Sequence, residues 1–156
     1  MKYGSNVELL YNQKKTFGIM SMYKYFKDFL ISHNFLPYGS WNFIKINHKN
    51  DSNKIEEKRK IRETLKDAGC GVYIYTNPKK DVLYVGEGIL KDRLIRHYEK
   101  SYQVKVKGSP RYDFFNNQKE EMIVYFKSMD DKYERQAIEA MLIVVLHPIY
   151  NKILNS

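Results

Sequence analysis

Cysteine is almost absent from this chain, and long apolar runs are missing altogether. The one cysteine, Cys70, excludes an internal disulfide and a metal site built from several cysteines. No apolar segment approaches the ~18 residues that a membrane-spanning helix needs, and the N-terminal residues lack the pattern of a secretory signal peptide. Internal repeats and low-complexity tracts are also missing. These absences favour a soluble protein of the cytoplasm.

Acidic residues are scarce relative to basic ones. The 156 residues include 27 lysines and arginines but 18 aspartates and glutamates, which gives a formal net charge of +9. The excess is concentrated in residues 1–68, where 13 basic and 7 acidic side chains give +6. A basic balance of this size indicates a polyanionic partner, usually nucleic acid, although a merely soluble basic protein has the same composition.

The first 68 residues read as a mainly helical, basic extension. Apolar residues at steps of three and four predict an amphipathic helix over about 19–32. A short β-favouring run follows at 41–46. Asn53 and Glu56 have the spacing of a capping box, and they precede a charged helix that ends at Gly69. We therefore divide the chain into an extension, 1–68, and a second domain, 69–156.

The second domain has a mixed pattern of strands and helices. Two strands separated by a turn are predicted at 71–76 and 82–85, and a third at 122–126. Helices are predicted at 90–100, at 110–115 and from 132 to about 146, where Asp131 and Glu134 form a second capping pattern and Pro148 stops the helix. The order is β-β-α-α-β-α, which indicates an α/β (α+β) fold.

One carboxylate in the last helix is difficult to explain as ordinary structure. Glu139 is the only polar residue in the run Ala137–Leu146, and a helix that is apolar nearly all round is expected to be largely buried. A buried carboxylate is costly unless it is paired, protonated or bound to a cation. A pair with Arg135, one turn earlier, is one interpretation. The other is an acid–base group or a ligand of Mg²⁺, which needs only one or two carboxylates.

Two further groups of side chains suggest chemistry, although each has a structural alternative. Arg93 and His97 lie four residues apart and share one face of the predicted helix; Arg suits a phosphate, and His transfers protons near neutral pH. Tyr73 and Tyr84 lie in the two paired strands. Tyrosine is common in strands, and an exposed polar helix face is ordinary.

Taken together, these residues resemble the signature of the GIY-YIG nuclease superfamily. Its paired tripeptides correspond to Gly71-Val72-Tyr73 and Tyr84-Val85-Gly86, separated by ten residues. The remaining elements occur in the family's order, and they are Arg93, His97, Glu139 and Asn151. The resemblance covers 69–151. It departs from the pattern in having valine for isoleucine in both tripeptides and in Glu87, an acid that directly follows Gly86.

The resemblance implies a fold and an activity. Such domains have a three-stranded, mostly antiparallel sheet flanked by helices, and they hydrolyse phosphodiester bonds with one divalent metal, Mg²⁺ or Mn²⁺. By this analogy Glu139 binds the metal, Arg93 stabilises the phosphate oxygens, and Tyr73 orients or deprotonates the attacking water. Because a phenol has a pKa near ~10, Tyr73 would act as a base only if Arg93 and the metal lower its pKa or if His97 or Tyr84 relays the proton. Asn151 is expected to position the others.

The expected partner is DNA, double-stranded, cut by an enzyme of restriction or mobile-element type that acts as a homodimer. Seven basic side chains are candidates for nucleic-acid contacts, namely Lys58, Arg59, Arg62, Arg96, Lys105, Lys107 and Arg111. Two alternatives stay open. One is a structure-specific repair or recombination nuclease or an RNA nuclease; the other is a non-catalytic DNA-binding protein with a decayed nuclease fold.

Overall fold

The structure, a computed structural model, describes residues 5–103 and 110–151. Five helices and four strands follow one another along these ranges. In chain order they are α1 (Ser5–Ser32), β1 (Asn42–Asn47), α2 (Lys54–Thr64), β2 (Cys70–Thr76), β3 (Val82–Ile89), α3 (Leu90–Lys100), α4 (Pro110–Asn117), β4 (Glu121–Ser128) and α5 (Lys132–Leu146).

The four strands form one antiparallel sheet in the order β1-β4-β2-β3. This confirms the predicted α/β architecture and its three strands, β2, β3 and β4. The fourth strand, β1, comes from the first 68 residues and pairs with β4, so the basic extension contributes to the same sheet. The division into two domains at residue 68 stays a prediction.

The sheet is covered on both faces, which explains why the central strand β2 is almost entirely buried. Successive side chains of a strand point to opposite faces. Tyr73 and Tyr75 therefore pack into the core with α2, α3 and α4, whereas Val72 and Ile74 pack into the core with α1 and α5. The two tyrosines that the tripeptides supply thus belong to the face that α3 covers.

Two helix ends follow the capping signals in the sequence. The Asn53 side chain accepts a hydrogen bond from the backbone of Glu56, and Asp131 does the same for Glu134. The predicted bounds of α3 and α5 are those observed. Strand β3, in contrast, extends past its predicted end at Val85 to Ile89, because backbone pairing with β2 continues through Glu87 and Gly88.

Helix α5 is less buried than its apolar sequence predicts. Leu142 and Val145 are buried, but Met141 and Val144 are half-buried and Ala140 is exposed. The helix packs against the sheet and α1, and its remaining side stays open, so the expectation of a helix buried nearly all round is wrong. Within residues 5–103 and 110–151, no helix is both long enough and apolar enough to cross a membrane.

Candidate active site

The site begins with a hydrogen bond between Tyr73 on β2 and His97 on α3. The Tyr73 hydroxyl lies 2.8 Å from Nε2 of His97, and both side chains are buried. The ring of Tyr84, on the neighbouring strand, lies 6.1 Å from that of Tyr73 and 5.4 Å from that of His97. The two tyrosines and the histidine, which sequence reasoning grouped, therefore form one aromatic cluster.

The glycines of the two tripeptides make this cluster possible. Gly86 lies directly opposite Tyr73 in the strand pairing. A Cβ atom at Gly86 would come within 2.5 Å of the Tyr73 hydroxyl and 2.9 Å of the Tyr84 ring. A Cβ at Gly71 would overlap the backbone carbonyl of Lys127 on β4. Both positions require glycine because other groups approach the backbone closely.

Burial keeps Tyr73 and His97 neutral. It raises the pKa of the Tyr73 phenol well above its usual value, and the opposing effect of Arg93 is smaller. Burial also lowers the pKa of His97 well below its usual value, aided by Lys100 and Arg111. Tyr73 and His97 therefore share this hydrogen bond as two neutral groups, and the tautomer of His97 sets which of them donates. Arg93 lowers the pKa of Tyr73, but desolvation outweighs this effect, so the proton relay through His97 or Tyr84 is the route to catalysis that does not need an ionised phenol.

Cations surround the other side of the cluster. The Arg93 side chain is half-buried and packs over Gly88, where a Cβ atom would lie 2.7 Å from its Nε. The Arg111 guanidinium on α4 lies 5.9 Å from the centre of the Tyr84 ring. Burial together with Arg111, Arg96 and Arg93 lowers the pKa of Lys100 to about 8. This crowding of positive charge favours an anionic ligand.

Glu139 faces these groups from α5. Burial, and next the Glu87 carboxylate, raise the pKa of Glu139 to about 7, and Arg93 and Arg111 oppose the rise. Glu139 also contributes to the raised pKa of Tyr84, which burial causes in the main. Within the described ranges Glu139 forms no ion pair. Its half-buried carboxylate is therefore available to a cation.

One interpretation of the sequence paired Arg135 with Glu139, but in the structure Arg135 pairs with Glu87. Its Nε donates to the Glu87 carboxylate at 3.0 Å, and its terminal nitrogen donates to the backbone carbonyls of Met129 and Asp130. Glu87, whose role the sequence left undecided, is thus the partner of a buried arginine.

Asn151 lies at the outer edge of β3, where its amide hydrogen-bonds both the N–H and the C=O of Val85 at 2.9 and 3.0 Å. The backbone N–H groups of Ile149 and Tyr150 donate to the carbonyls of Val82 and Leu83. The segment after α5 therefore covers the free edge of the strand that carries the second tripeptide.

An open cleft adjoins the start of α3. It has a volume of about 270 Å³ and is lined by Cys70, Glu87, Gly88, Ile89, Asp92, Arg93, Arg96 and Arg135. Arg135 and Glu87 pair with each other, so Arg93, Arg96 and the N-terminus of α3 supply the positive charge that suits a phosphate, and Asp92 opposes it.

The donor set fits a hard divalent cation that keeps most of its waters. No cluster of three or more His, Cys, Asp or Glu side chains occurs among the residues that the structure describes. Such a set does not suit Zn²⁺, which needs three or four protein ligands. Mg²⁺ or Mn²⁺ binding through Glu139 and substrate phosphate suits it.

The side chains proposed to contact nucleic acid differ in whether they already form ion pairs with neighbouring carboxylates. Lys58 pairs with Glu99 at 3.3 Å, and Arg59 pairs with Glu56 at 2.7 Å and with Glu63 at 3.4 Å. Arg62 and Arg96 are exposed, and no described residue forms an ion pair with either. Lys105 and Lys107 lie outside the described residues.

Sequence reasoning missed two features of the site. Arg111 was grouped with the surface cations, but it approaches Tyr84 and Glu139. The Glu87–Arg135 pair joins residues 48 positions apart, a separation at which spacing gives no signal. The one sign of this pair in the sequence was Glu87 itself, an acidic residue directly after the second tripeptide.

The order of strands and helices over residues 69–151 is the one that the sequence predicts, with β1 added to the sheet. No family model and no curated protein sequence matches the chain. The solved structures that show similarity include two point mutants of the GIY-YIG N-terminal endonuclease domain of UvrC from Thermotoga maritima, each bound to its catalytic divalent cation. Each shares 22% identity at a TM-score of 0.40, over 58% of this chain and 93% of that chain.

Proposed function

We propose that this protein is a divalent-metal-dependent endonuclease that hydrolyses phosphodiester bonds in DNA. Three observations support the proposal: the Tyr73–His97 hydrogen bond, the packing of Arg93 over Gly88 of β3, and a Glu139 carboxylate that forms no ion pair with any described residue. Those groups meet the needs of phosphodiester hydrolysis, which are an oriented water, positive charge at the phosphate and a metal ligand.

Tyr73 orients the attacking water and passes on its proton. This role requires the His97 tautomer that carries its proton on Nδ1, in which the Tyr73 O–H donates to Nε2 and the phenol oxygen keeps lone pairs for the water. As the water attacks phosphorus, its proton moves to the Tyr73 oxygen while the Tyr73 proton moves to His97. Tyr73 is neutral before and after this transfer. The low pKa of His97 makes it release the proton again, to the departing oxygen or to solvent.

Arg93 and Arg111 stabilise the negative charge of the transition state. Arg93 borders the cleft of about 270 Å³ that accepts the phosphate, and Arg111 approaches from α4. Glu139 would hold Mg²⁺ or Mn²⁺, and the bound metal would supply charge stabilisation at the leaving oxygen. Asn151 and Tyr84 position β3 and the aromatic cluster.

We further propose that the substrate is double-stranded DNA and that the enzyme is of restriction or mobile-element type, working in the cytoplasm as a homodimer. The net charge of +9 supports a polyanionic substrate. One metal site cuts one strand, so cleavage of a duplex at a palindrome calls for two copies.

A Glu139→Gln substitution tests the proposal. Gln keeps the shape of the side chain but removes the charge that binds the metal, so Mg²⁺-dependent cleavage should fall at least ~100-fold while DNA binding changes less than about twofold. The matched control is Glu134→Gln, an exposed glutamate in the first turn of the same helix. Cleavage is measured under single-turnover conditions on supercoiled, linear, single-stranded and branched DNA and on RNA, with and without Mg²⁺ or Mn²⁺.

The choice of substrate separates the remaining alternatives. Discrete ends in duplex DNA support a restriction-type enzyme. Cuts confined to junctions indicate a repair nuclease, and cuts in RNA alone indicate a ribonuclease. Full activity of the Glu139→Gln protein, or DNA binding by the wild-type protein without any cleavage, would contradict the proposal.

A further inference from the structure

Arg135 and Glu139 occupy the same side of α5, one turn apart. An arginine and a glutamate four residues apart in a helix are close enough to form an ion pair. Arg135 is also buried, with 9% of its side chain exposed. A buried guanidinium requires an anionic partner. From the helix alone, Glu139 is the expected partner.

The structure gives Arg135 another partner on a different element. Its Nε donates to Glu87 on β3, and its terminal nitrogen donates to the Met129 and Asp130 carbonyls at 3.1 and 2.7 Å. These three bonds hold the guanidinium toward the loop before α5. Glu139 forms no ion pair with any described residue, Arg135 included.

We propose that Glu87 sequesters Arg135 and so keeps the Glu139 carboxylate free for a divalent cation. This inference rests on the proposed function, because it assigns Glu87 as a positioning residue for the metal ligand. The physical reason is competition: a cation fixed in protein and a metal ion compete for one carboxylate. With Glu87 present, the fixed cation is already neutralised.

Metal binding in the absence of DNA tests this competition directly. Removing Glu87 with Glu87→Met keeps the length of the side chain but removes the acceptor, so Arg135 should turn to Glu139. We expect the affinity for Mn²⁺, measured by calorimetry and by electron paramagnetic resonance, to fall at least ~5-fold. A second substitution, Arg135→Met, removes the competing cation, and the Glu87→Met/Arg135→Met protein should bind Mn²⁺ within about twofold of wild type.

The recovery of Mn²⁺ affinity in the double variant distinguishes sequestration of Arg135 from a merely structural role of the Glu87–Arg135 pair. If the pair only held α5 against β3, the double variant would bind Mn²⁺ no better than Glu87→Met, and that result would overturn the proposal. Arg135→Met alone, with Glu87 intact, should bind Mn²⁺ at least as well as wild type; a loss beyond about threefold contradicts the proposal even where Glu87→Met does not fold. The control is Glu121→Met, which removes a surface glutamate 3.6 Å from Lys45 and should change nothing.

A crystal structure of the metal-free Glu87→Met protein shows the position of the Arg135 guanidinium directly. This test of the proposal needs neither bound metal nor activity. Sequestration predicts that the Arg135 guanidinium moves to within ion-pair distance of the Glu139 carboxylate. A guanidinium that remains on the Met129 and Asp130 carbonyls overturns it. Wild-type protein that binds no Mn²⁺ would instead refute the metal dependence proposed above, so the two failures are distinguishable.

Discussion

Tyr73 shows how local surroundings turn a common strand residue into a candidate for chemistry. Most of the tyrosines in such a chain serve packing, and β-propensity alone explains a tyrosine at this position. Here the hydroxyl is buried and bonds a buried, neutral histidine. A buried phenol forms hydrogen bonds with defined partners. For Tyr73 the partner is His97, an imidazole that can accept a proton.

A Tyr73→Phe substitution tests that assignment at the scale of one atom. Phe keeps the ring but removes the oxygen that receives the proton of the water, so cleavage should fall at least ~100-fold. DNA binding should change less than about twofold, because no charge is lost. The measurement is single-turnover cleavage beside a filter-binding assay. Tyr133→Phe, at an exposed position on α5, is the matched control; equal activity of Tyr73→Phe and this control would contradict the role.

At the scale of elements, the sequence predicts an end well only where a local signal marks it: α1 begins at Ser5, well before the predicted residue 19, and α2 ends at Thr64, before the predicted Gly69. Helices α3 and α5 have their predicted bounds because Pro148, a capping box and strong periodicity act locally. Strand β3 runs further than predicted because its last residues pair through the backbone and need no apolar side chains. The pairing of β1 with β4 joins segments far apart in the chain. The local pattern therefore predicted that β1 is a strand but not where it lies in the sheet.

Helices α2 and α3 carry similar numbers of basic residues but present them differently. On α2, Lys58, Arg59 and Lys60 are paired with glutamates, and of its arginines Arg62 alone lacks an ion pair with a described residue. On α3, Arg96 is exposed beside the cleft and has no ion pair with a described residue. A surface cation that already forms an ion pair contributes less to the affinity for a phosphate, because the ion pair must be broken before the phosphate binds.

We therefore expect Arg96→Ala to weaken DNA binding more than Arg59→Ala does. Arg96→Ala should reduce affinity roughly 3- to 10-fold at moderate salt and lower the slope of log affinity against log salt concentration by about one unit. Arg59→Ala should change affinity less than about twofold. Fluorescence anisotropy across a salt series measures both values. Equal losses in the two variants would show that α2 contacts DNA after all.

At the scale of the whole molecule, the first 68 residues are joined to the candidate catalytic region by buried contacts. His48, just after β1, is 2% exposed, and its ring lies 6.2 Å from that of Tyr75 and 5.3 Å from that of Tyr98. Neither ring nitrogen of His48 has a hydrogen-bond partner among the described residues. Burial, and next Lys119, lower the pKa of His48 from 6.5 to about 3.

This buried histidine predicts a loss of stability in acid. Above pH 6.5 both the folded and unfolded states keep His48 neutral. Below it, the unfolded state binds a proton that the folded state refuses until the pH approaches 3, so the free energy of unfolding falls by roughly 1 kcal/mol per pH unit. His97, whose pKa burial also lowers, acts in the same direction.

Replacing the ring isolates the contribution of His48. Between pH 7 and pH 5, a His48→Phe protein should lose roughly 2 kcal/mol less stability than wild type. Urea denaturation at both pH values gives the difference, and the exposed His33 supplies the control variant His33→Phe. Parallel losses in wild type and His48→Phe would show that His48 takes up its proton equally in both states.

The central claim is that the carboxylate of α5, the tyrosines of β2 and β3 and the arginine of α3 form a single metal-dependent site. Anomalous diffraction from crystals soaked in Mn²⁺ tests it most directly. The account predicts one strong peak within coordination distance of the Glu139 carboxylate, on the side that faces Arg93 and Tyr73. A saturating soak that leaves Glu139 without a peak, or that places the metal away from these side chains, would contradict it.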